Sequence, residues 1–322
     1  MRRLLLRTVK TAPPTPFQAA AWTERPASPR ASAIRRAPRT RASPTPDASA
    51  RFAFEQRIAT LKTAAALPSR TLVYYRDLTL VLLAKEFKVR YKNTFMGYAW
   101  SLMHPLFMSL IFFVVLSVVM RIQVEAYALY LIAGLFPWQW IANTAQGANS
   151  CFLGNSSLIK KVRFQRAMLV LASVLNESVH FVVSVPVIVA FMLYYGKRPS
   201  LDWIWALPAL VLLQLTMTFG LALLIATTNL FFRDLERLVA LLVHALFYLT
   251  PIWYPADRVP AEYTWVFYAN PFASVVLCWQ GLFYYGAVPA VYFGVALTWA
   301  LGWLAFGLLV YHKNVWRFAE IV

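Results

Sequence analysis

Leu246 to Tyr285 reads LFYLTPIWYPADRVPAEYTWVFYANPFASVVLCWQGLFYY, an apolar stretch that prolines interrupt. An apolar helical pattern ends at Pro251 and Pro255, and a second break follows at Asn270-Pro271. Each proline removes a backbone donor and disfavours helix in the residue before it. The apolar pieces after Pro255 are therefore too short to span a bilayer, which takes roughly 20 residues in a helix.

Two short apolar pieces joined by Asn-Pro predict a re-entrant or interfacial hairpin over residues 255–285. Broken backbone survives at membrane depth only where it is buried in protein or lines a cavity. We therefore expect this hairpin to form the outer mouth of a conduction path. A loop that lies on the membrane surface is the alternative, and the local pattern leaves it open.

The composition is that of a polytopic membrane protein. The chain has 322 residues, 60% of them hydrophobic, and a mean hydropathy of +0.56. Its net charge of +18 gathers in the N-terminal tail and a few loops, as the positive-inside rule expects, so we expect no nucleic-acid partner. The sequence shows no P-loop, HExxH motif or Cys/His cluster. We expect no cofactor in this chain, and any ATP would be bound by another chain.

Residues 1–66 differ from the rest of the chain. They are rich in Arg, Pro, Ala and Ser and nearly free of acids up to Asp47, so they cannot bury enough apolar surface to fold. We predict a disordered basic extension before a domain at 67–322. A transit peptide and upstream sequence translated from a wrongly assigned start are the alternatives.

A basic amphipathic helix is predicted at residues 71–93. Its apolar positions share one helical face, and its charged positions share another. The apolar face carries Leu80, Leu83, Ala84, Phe87 and Tyr91. The charged face carries Arg76, Asp77, Lys85, Lys88 and Lys92. Such a helix is suited to lying in the membrane interface.

Six membrane spans follow, so we predict an all-α membrane protein. Their expected bounds are 95–120, 127–150, 168–195, 203–230, 238–250 and 289–311. Basic residues prevail in the loops after the second and fourth spans and in the C-terminal tail, whereas the other loops are balanced. This bias places both termini in the cytoplasm and the hairpin on the outer side.

Several motifs in this order resemble a known family. They are KVRYKNTFMGYAWSLMHPLF (Lys88–Phe107), LIAGLFPWQWIANT (Leu131–Thr144), NSSLIKKVRFQR (Asn155–Arg166), FFRDLERL (Phe231–Leu238) and TPIWYPADRVPAEYTWVFYANPF (Thr250–Phe272). The chain from Tyr74 to Val322 is similar to the permease subunits of ABC exporters for cell-surface polysaccharides: O-antigen, capsule and teichoic acid. One departure is Phe164-Gln165-Arg166, where the family usually shows Phe-Pro-Arg.

The resemblance implies a complex in the bacterial inner membrane. Two permease chains would pair with two copies of a separate ATP-binding subunit, which would hold ATP and Mg. Two cytoplasmic loops would contact that subunit. Their residues are Lys160, Lys161, Arg163, Phe164 and Arg166 in the first loop, and Arg233, Asp234, Glu236 and Arg237 in the second. In the alternative interpretation these charges only orient the protein in the membrane.

The resemblance also implies that the hairpin is an outer gate and that the cargo is a lipid-linked polysaccharide. Sugar rings have apolar C–H faces that can pack on aromatic side chains. The candidate channel and gate residues are Tyr98, Trp100, Trp138, Trp140, Tyr248, Pro251, Trp253, Tyr254, Pro255, Tyr268, Asn270 and Pro271. Some of the aromatic residues would instead belong to a lipid-facing belt.

Asn176, Glu177 and His180 fall within the third predicted span. An ionisable residue inside a span is costly and points to function. A proton relay is one interpretation, and a polar contact between helices is the other.

We therefore predict a transport subunit that is not itself an enzyme. An ABC permease for a drug or small lipid is the first alternative. A membrane glycosyltransferase or polymerase is the second, although such an enzyme should carry paired acids near a membrane surface. The outer acids Asp257 and Glu262 stand beside Arg258 and give that alternative little support.

Overall fold

The structure is a computed structural model that describes residues 71–91, 99–161 and 164–318. The predicted extension at 1–66, the junction 92–98 with Tyr98, and Arg163 lie outside the described residues. The described helices are α1 Thr71–Tyr91, α2 Ala99–Phe113, α3 Tyr127–Cys151, α4 Ser156–Lys161, α5 Ala167–Tyr194, α6 Trp203–Asn229, α7 Leu235–Leu249, α8 Trp265–Ala269, α9 Ala273–Gln280 and α10 Ala290–Asn314. These ranges contain no strand, which confirms the all-helical prediction for this part of the chain.

Short irregular turns extend or join these helices. Pi-helical turns at Val114–Val119 and Gly281–Tyr285 continue α2 and α9. Tight 3-10 turns occur at Leu153–Asn155, Ala256–Arg258, Ala261–Tyr263 and Val315–Arg317. The bounds follow local chemistry: α7 ends at Leu249 because Thr250 is extended before Pro251, and α10 begins directly after Pro289.

Four of the described helical segments are long and apolar enough to cross a membrane: Leu102–Val119, Ala167–Tyr194, Trp203–Asn229 and Ala290–Arg317. A fifth candidate is the pair Ala261–Ala269 and Ala273–Tyr285, which is bent by 106°. The predicted second and fifth spans, α3 and α7, are not in this set. The apolar run of α3 is interrupted by polar residues such as Gln139 and Asn143. The 15 residues of α7 reach about 22 Å, less than the roughly 30 Å hydrocarbon core.

Helix α3 is the centre of the bundle. Its side chains are buried from Leu129 to Trp138, and it packs against α2, α5, α6, α7 and α9. A helix enclosed by other helices can carry polar side chains at membrane depth, because they meet protein rather than lipid. This explains why α3 is central to the fold although it is not the most apolar helix.

The closest helix pair is α6 with α10. A Cβ atom built on Gly220 would lie 2.4 Å from the backbone nitrogen of Leu304, and one built on Gly307 would lie within 3.0 Å of the Gly220 carbonyl group. Small residues allow two membrane helices to approach at backbone distance. α10 is held on one side of the bundle by this contact and buries few other side chains.

Helix α1 packs on α5 through Leu78 and Leu82, which are buried. Leu80, from the predicted apolar face, is 55% exposed. The helix therefore has apolar side chains towards the protein and also on an exposed side. Its placement in the membrane interface stays a prediction.

The loops gather at two opposite ends of the bundle. At one end Asn229 donates to the carbonyl oxygen of Asn149 at 2.8 Å, and the Ala167 amide donates to the Tyr311 hydroxyl at 3.1 Å. We call this the charged end: its segments 152–161, 164–166, 230–237 and 312–318. Its basic residues are Lys160, Lys161, Arg166, Arg233, Arg237, Lys313 and Arg317, and its acidic residues are Asp234 and Glu236.

The hairpin end contains segments 120–126, 195–202, 250–264 and 284–289. Its charges balance: the basic residues Arg121, Lys197, Arg198 and Arg258 are matched by the acidic residues Glu125, Asp202, Asp257 and Glu262. The two ends of the described bundle therefore differ in charge in the sense that the sequence predicts.

Candidate functional site

The loop Thr250–Pro255 is held by donors from two helices. The Tyr130 hydroxyl on α3 makes a shared hydrogen bond to the carbonyl oxygens of Pro251 at 3.1 Å and Tyr254 at 2.9 Å. Gln280 on α9 donates to the Pro251 carbonyl oxygen at 3.0 Å. Carbonyl groups of a loop packed against the bundle need such donors. The loop therefore has one defined conformation, which the bundle sets.

Gly134 makes room for one of these donors. A Cβ atom there would lie 2.7 Å from Nε2 of Gln280. The absence of a side chain on α3 thus lets the Gln280 amide reach the loop.

The break at Asn270-Pro271 is also fixed by side chains. Nδ2 of Asn270 donates to Oγ1 of Thr250 at 2.9 Å, and Oδ1 of Asn270 accepts from the Phe272 amide at 3.0 Å. The second contact is an Asx turn, in which the side chain replaces a backbone acceptor. Asn270 thereby joins the bend between α8 and α9 to the end of α7.

Two consecutive buried hydrogen bonds connect α9 to α6 and α3. Nε1 of Trp279 donates to Oε1 of Gln214 at 2.5 Å, and Nε2 of Gln214 donates to the carbonyl oxygen of Pro137 at 2.9 Å. Trp279 and Gln214 are fully buried. Because buried polar groups are costly without partners, these two hydrogen bonds fix α9 relative to α3 and α6.

Aromatic side chains form a cluster beside the loop. Phe112 of α2 stacks on Trp253 at 6.3 Å between ring centroids and packs on Phe247 of α7 at 5.9 Å. Trp138 of α3 packs on Phe247 at 5.8 Å and on Phe272 at 6.1 Å. The cluster connects α2, α3 and α7 to the hairpin and the loop before it. A displacement of one of these elements would therefore change the packing of the others.

The predicted channel residues divide into three groups. Trp100 and Tyr248 are exposed at 58% and 60%, and Tyr268 is also exposed. Trp253, Tyr254 and Pro271 are half-buried, and burial raises the pKa of the Tyr254 phenol. The buried group is Trp138, Trp140, Pro251, Pro255 and Asn270. The buried residues present little surface to a cargo in this conformation, and Trp140 packs on Phe181 of α5 rather than on the hairpin. The exposed aromatic rings remain candidate contact residues.

Both ends of the bent pair contact the same loop, residues 120–126. Before the pair, Arg258 donates to the carbonyl oxygen of Gln123 at 2.7 Å. At its end, the Tyr284 hydroxyl donates to the carbonyl oxygen of Glu125 at 2.6 Å. Lys197 donates to the Tyr284 carbonyl oxygen at 2.9 Å, and its ammonium lies 3.7 Å from the centroid of the Tyr284 ring. The entry and the exit of the hairpin are therefore both attached to the loop between α2 and α3.

At the charged end, the predicted coupling residues differ in exposure. Lys160 and Lys161 of α4 are exposed, and so are Arg233, Asp234, Glu236 and Arg237 in the turn between α6 and α7. Phe164 and Arg166 are half-buried. The Arg166 guanidinium donates to the carbonyl oxygen of Val315 within the same chain. The charged groups of these six residues are exposed, whereas the Arg166 guanidinium is held by a carbonyl oxygen of its own chain.

Glu177 takes part in a polar contact between α3 and α5. Nδ2 of Asn143 donates to Oε2 of Glu177 at 3.0 Å, and Nε2 of Gln139 donates to Oδ1 of Asn143 at 2.6 Å. These groups line a small cleft with His180, and its accessible volume is about 20 Å³, enough for about one water molecule. The cleft is too small for a sugar ring. The helix–helix interpretation agrees with this geometry, and the proton relay stays a prediction.

Sequence reasoning missed four side chains that support the hairpin: Tyr127, Tyr130, Gln214 and Gln280. Tyr127 donates to the Trp253 carbonyl oxygen. Two signals could have found them. Gln214 and Gln280 are polar residues inside apolar helical runs, which are costly without a partner. A buried tyrosine hydroxyl also usually finds an acceptor.

Comparisons with known proteins agree with this arrangement. Residues 77–284 match the family described as "ABC-2 type transporter", which covers more than half of the chain. This chain belongs to the ABC-2 type transporter family. The matched range of this ABC-2 transporter includes both loops of predicted coupling residues and residues 255–284 of the hairpin. The family, together with the apolar helices, makes it a multi-pass membrane protein.

The ABC-2 transporter is also similar to three proteins that are named for polysaccharide export or transport. It is 41% identical over 249 residues to "O-antigen export system permease protein RfbA" of Klebsiella pneumoniae, covering 77% of this chain and 96% of that protein. It is 31% identical over 223 residues to a protein of the same name in Myxococcus xanthus, covering 68% and 85%. The "Polysialic acid transport protein KpsM" of Escherichia coli is 19% identical over 197 residues, covering 61% and 76%. The resemblance predicted from the motifs is thus confirmed.

Proposed function

We propose that this chain is the membrane-spanning subunit of an ATP-driven exporter of lipid-linked, O-antigen-like polysaccharide. The cargo would move from the cytoplasmic to the outer face of a bacterial inner membrane. One observation carries the proposal: the similarity to the Klebsiella pneumoniae O-antigen export permease extends over 96% of that protein. A similarity of this extent favours a shared cargo class over a drug or a small lipid.

The proposed topology has six spans with both termini in the cytoplasm. The charged end would face the cytoplasm, because basic residues are retained on that side. The hairpin would be re-entrant from the outer face. The hydrogen bonds of Arg258 and Tyr284 to neighbouring carbonyl groups at Gln123 and Glu125 support this arrangement, since they attach the entry and the exit of the bent pair to one loop.

The proposed complex contains two copies of this chain and two copies of a separate ATP-binding subunit, which holds ATP and Mg. The exposed charges of Lys160, Lys161 and the turn Arg233–Arg237 support a docking surface for that subunit. Salt bridges and packing across such a surface can transmit a rigid-body movement into the bundle. The hairpin at the other end would respond as the gate.

Exposed aromatic rings on α2, on α7 and in the hairpin suit a polysaccharide cargo. Trp100, Tyr248 and Tyr268 offer apolar faces for sugar C–H groups and polar atoms for hydroxyl groups. Weak, repeated contacts of this kind let a polymer slide, because the cargo must leave each site. The buried tryptophans of the hairpin region would hold the gate in shape.

The deciding experiment locates polymer in cells that lack this chain. Surface staining and extraction of the lipid-linked polymer are done on the same cells, with the complemented strain as control. We expect the polymer to disappear from the surface and accumulate inside. Loss from both places would favour the glycosyltransferase or polymerase alternative. Unchanged polymer in both places would overturn the polysaccharide proposal in favour of a small-molecule exporter.

A further inference from the structure

The last described residue, Phe318, is fully buried. Its ring packs against Phe152 at 4.9 Å and against Tyr311 at 5.9 Å between ring centroids. Phe152 directly follows α3 and begins the loop that leads into α4. The end of α10 is therefore attached to the base of the loop that carries the predicted coupling residues.

The far side of the same loop is attached as well. The Arg166 guanidinium donates to the Val315 carbonyl oxygen, and its carbon lies 5.6 Å from the centroid of the Phe318 ring. The backbone amide of Ala167 donates to the Tyr311 hydroxyl at 3.1 Å. The first amides of a helix lack partners within it, so Tyr311 supplies one to α5. Both ends of the loop thus meet one short segment, Tyr311–Phe318.

Other side chains of the segment Tyr311–Phe318 are exposed to solvent. Trp316 is 85% exposed, and Lys313 and Arg317 are exposed. The 3-10 turn Val315–Arg317 turns Phe318 inward while Trp316 points outward. Trp316 and Phe318 are therefore a matched pair of aromatic side chains: Phe318 packs on the loop, and Trp316 does not.

We propose that Tyr311–Phe318 is a clamp that holds the two ends of the loop between α3 and α5, at Phe152 and at Arg166, with Arg166 and Phe318 as its positioning residues. Arg166 acts on its own chain rather than on the partner protein. A push on α4 then moves the ends of α5 and α10 together, because packed elements shift as rigid bodies. The consequence for ATP coupling rests on the proposed function, whereas the positioning itself does not.

Limited proteolysis tests the positioning directly. The full chain is purified in lipid nanodiscs, and trypsin cleavage after Lys160 or Lys161 is timed by mass spectrometry. Cleavage within a helix requires local opening and follows the population of the open form. We expect Phe318→Ala to accelerate this cleavage by about tenfold or more, since it removes a buried ring. Trp316→Ala is the control and should leave the rate unchanged.

Two further variants keep the test decisive if Phe318→Ala inserts poorly. Arg166→Gln removes the guanidinium contact and should also accelerate cleavage, whereas Phe318→Tyr keeps the ring and should retain protection. The double variant Arg166→Gln/Phe318→Ala should be little faster than Phe318→Ala, because both changes open one clamp. Cleavage rates equal to that of wild type in both Phe318→Ala and Arg166→Gln would overturn the proposal.

Assays with the ATP-binding subunit separate this inference from the proposed function. In the reconstituted complex, Phe318→Ala should still bind that subunit but lose polymer export, and Phe318→Tyr should restore export. Faster cleavage with normal export and ATP hydrolysis would keep the clamp and refute its part in coupling. Loss of the subunit in Arg166→Gln, with cleavage unchanged, would instead make Arg166 a direct docking residue and overturn the inference.

Discussion

The hydroxyl group of Tyr130 should contribute measurably to the stability of the hairpin. It is the donor shared between the carbonyl oxygens of Pro251 and Tyr254. Tyr130→Phe removes this donor without changing the ring. The Tyr254 carbonyl loses its donor from α3, whereas the Pro251 carbonyl keeps the amide of Gln280 at 3.0 Å. Leaving a buried acceptor unsatisfied costs about 1–3 kcal/mol.

The second donor makes the prediction sharper. Gln280→Leu alone leaves Pro251 with Tyr130, but the double variant leaves that carbonyl with neither donor. We therefore expect the double variant to be destabilised by about 1 kcal/mol more than the sum of the single variants. Two independent hydrogen bonds would give additive effects. An excess over additivity shows that the two side chains are coupled, as expected where both donate to one carbonyl group.

Thermal unfolding of the purified proteins measures these effects at one scan rate. A change of 1 kcal/mol shifts the midpoint by about 2–4 °C in a domain of this size, so Tyr130→Phe should lower it by about 2–12 °C. Tyr194→Phe is the control, because Tyr194 is 82% exposed. Additive effects in the double variant, or a Tyr130→Phe midpoint equal to that of wild type, would refute the reasoning.

Two other predictions test the bundle and its charged end. Gly220→Ala should lower the yield of folded, monodisperse protein, because its Cβ would lie 2.4 Å from α10 backbone atoms and overpacking costs about 1–3 kcal/mol. The control is Gly302→Ala on α10, where nothing lies within 4 Å of the added Cβ, and this variant should fold normally. Equal yields of the two variants would contradict the close contact between α6 and α10. Reversing charge at Lys160, Lys161 and Arg163 together should reduce copurification of the ATP-binding subunit by about tenfold or more while insertion persists. Arg198→Glu, at the hairpin end, is the matched control, and an unchanged complex with unchanged export would remove the docking proposal.

Much of the fold could be predicted because hydropathy and proline positions act locally. The expected spans 127–150, 168–195 and 203–230 match α3, α5 and α6 to within a residue or so at each end. Prolines at 251, 255 and 271 marked the true breaks, since proline acts on its own backbone and that of its neighbour. The count of spans was harder, because α7 is short and α3 is polar at several positions.

The contacts that hold the candidate site could not be predicted from the sequence. Tyr130 and Pro251 are far apart in the chain, and only the packing of α3 on the hairpin brings them together. Arg166 showed the same limit: its charge in a basic loop predicts a docking residue, but tertiary contacts place it on Val315 and Phe318. Trp138 and Trp140 are of the residue type that is enriched at the membrane–water interface, yet both are buried within the bundle.

The bent pair has a geometry that fits a re-entrant hairpin better than a span. Its arms, Ala261–Ala269 and Ala273–Tyr285, are about 14 and 20 Å long at 1.5 Å per residue. With a bend of 106°, its ends lie about 20 Å apart, short of the roughly 30 Å hydrocarbon core. Both ends also hydrogen-bond to the loop between α2 and α3.

Cysteine labelling tests this geometry and the number of spans together. In a Cys151→Ala/Cys278→Ala background, Glu262→Cys and Ala287→Cys should both react with a membrane-impermeant maleimide in intact spheroplasts, because the hydrogen bonds at Arg258 and Tyr284 keep these exposed positions on one face. Arg237→Cys, at the charged end, should react only after the membrane is permeabilised. If Ala287→Cys instead behaved like Arg237→Cys, the pair would cross the membrane. The last helix would then run in the opposite direction, and the contact of its end with Arg166 could not form on the cytoplasmic side.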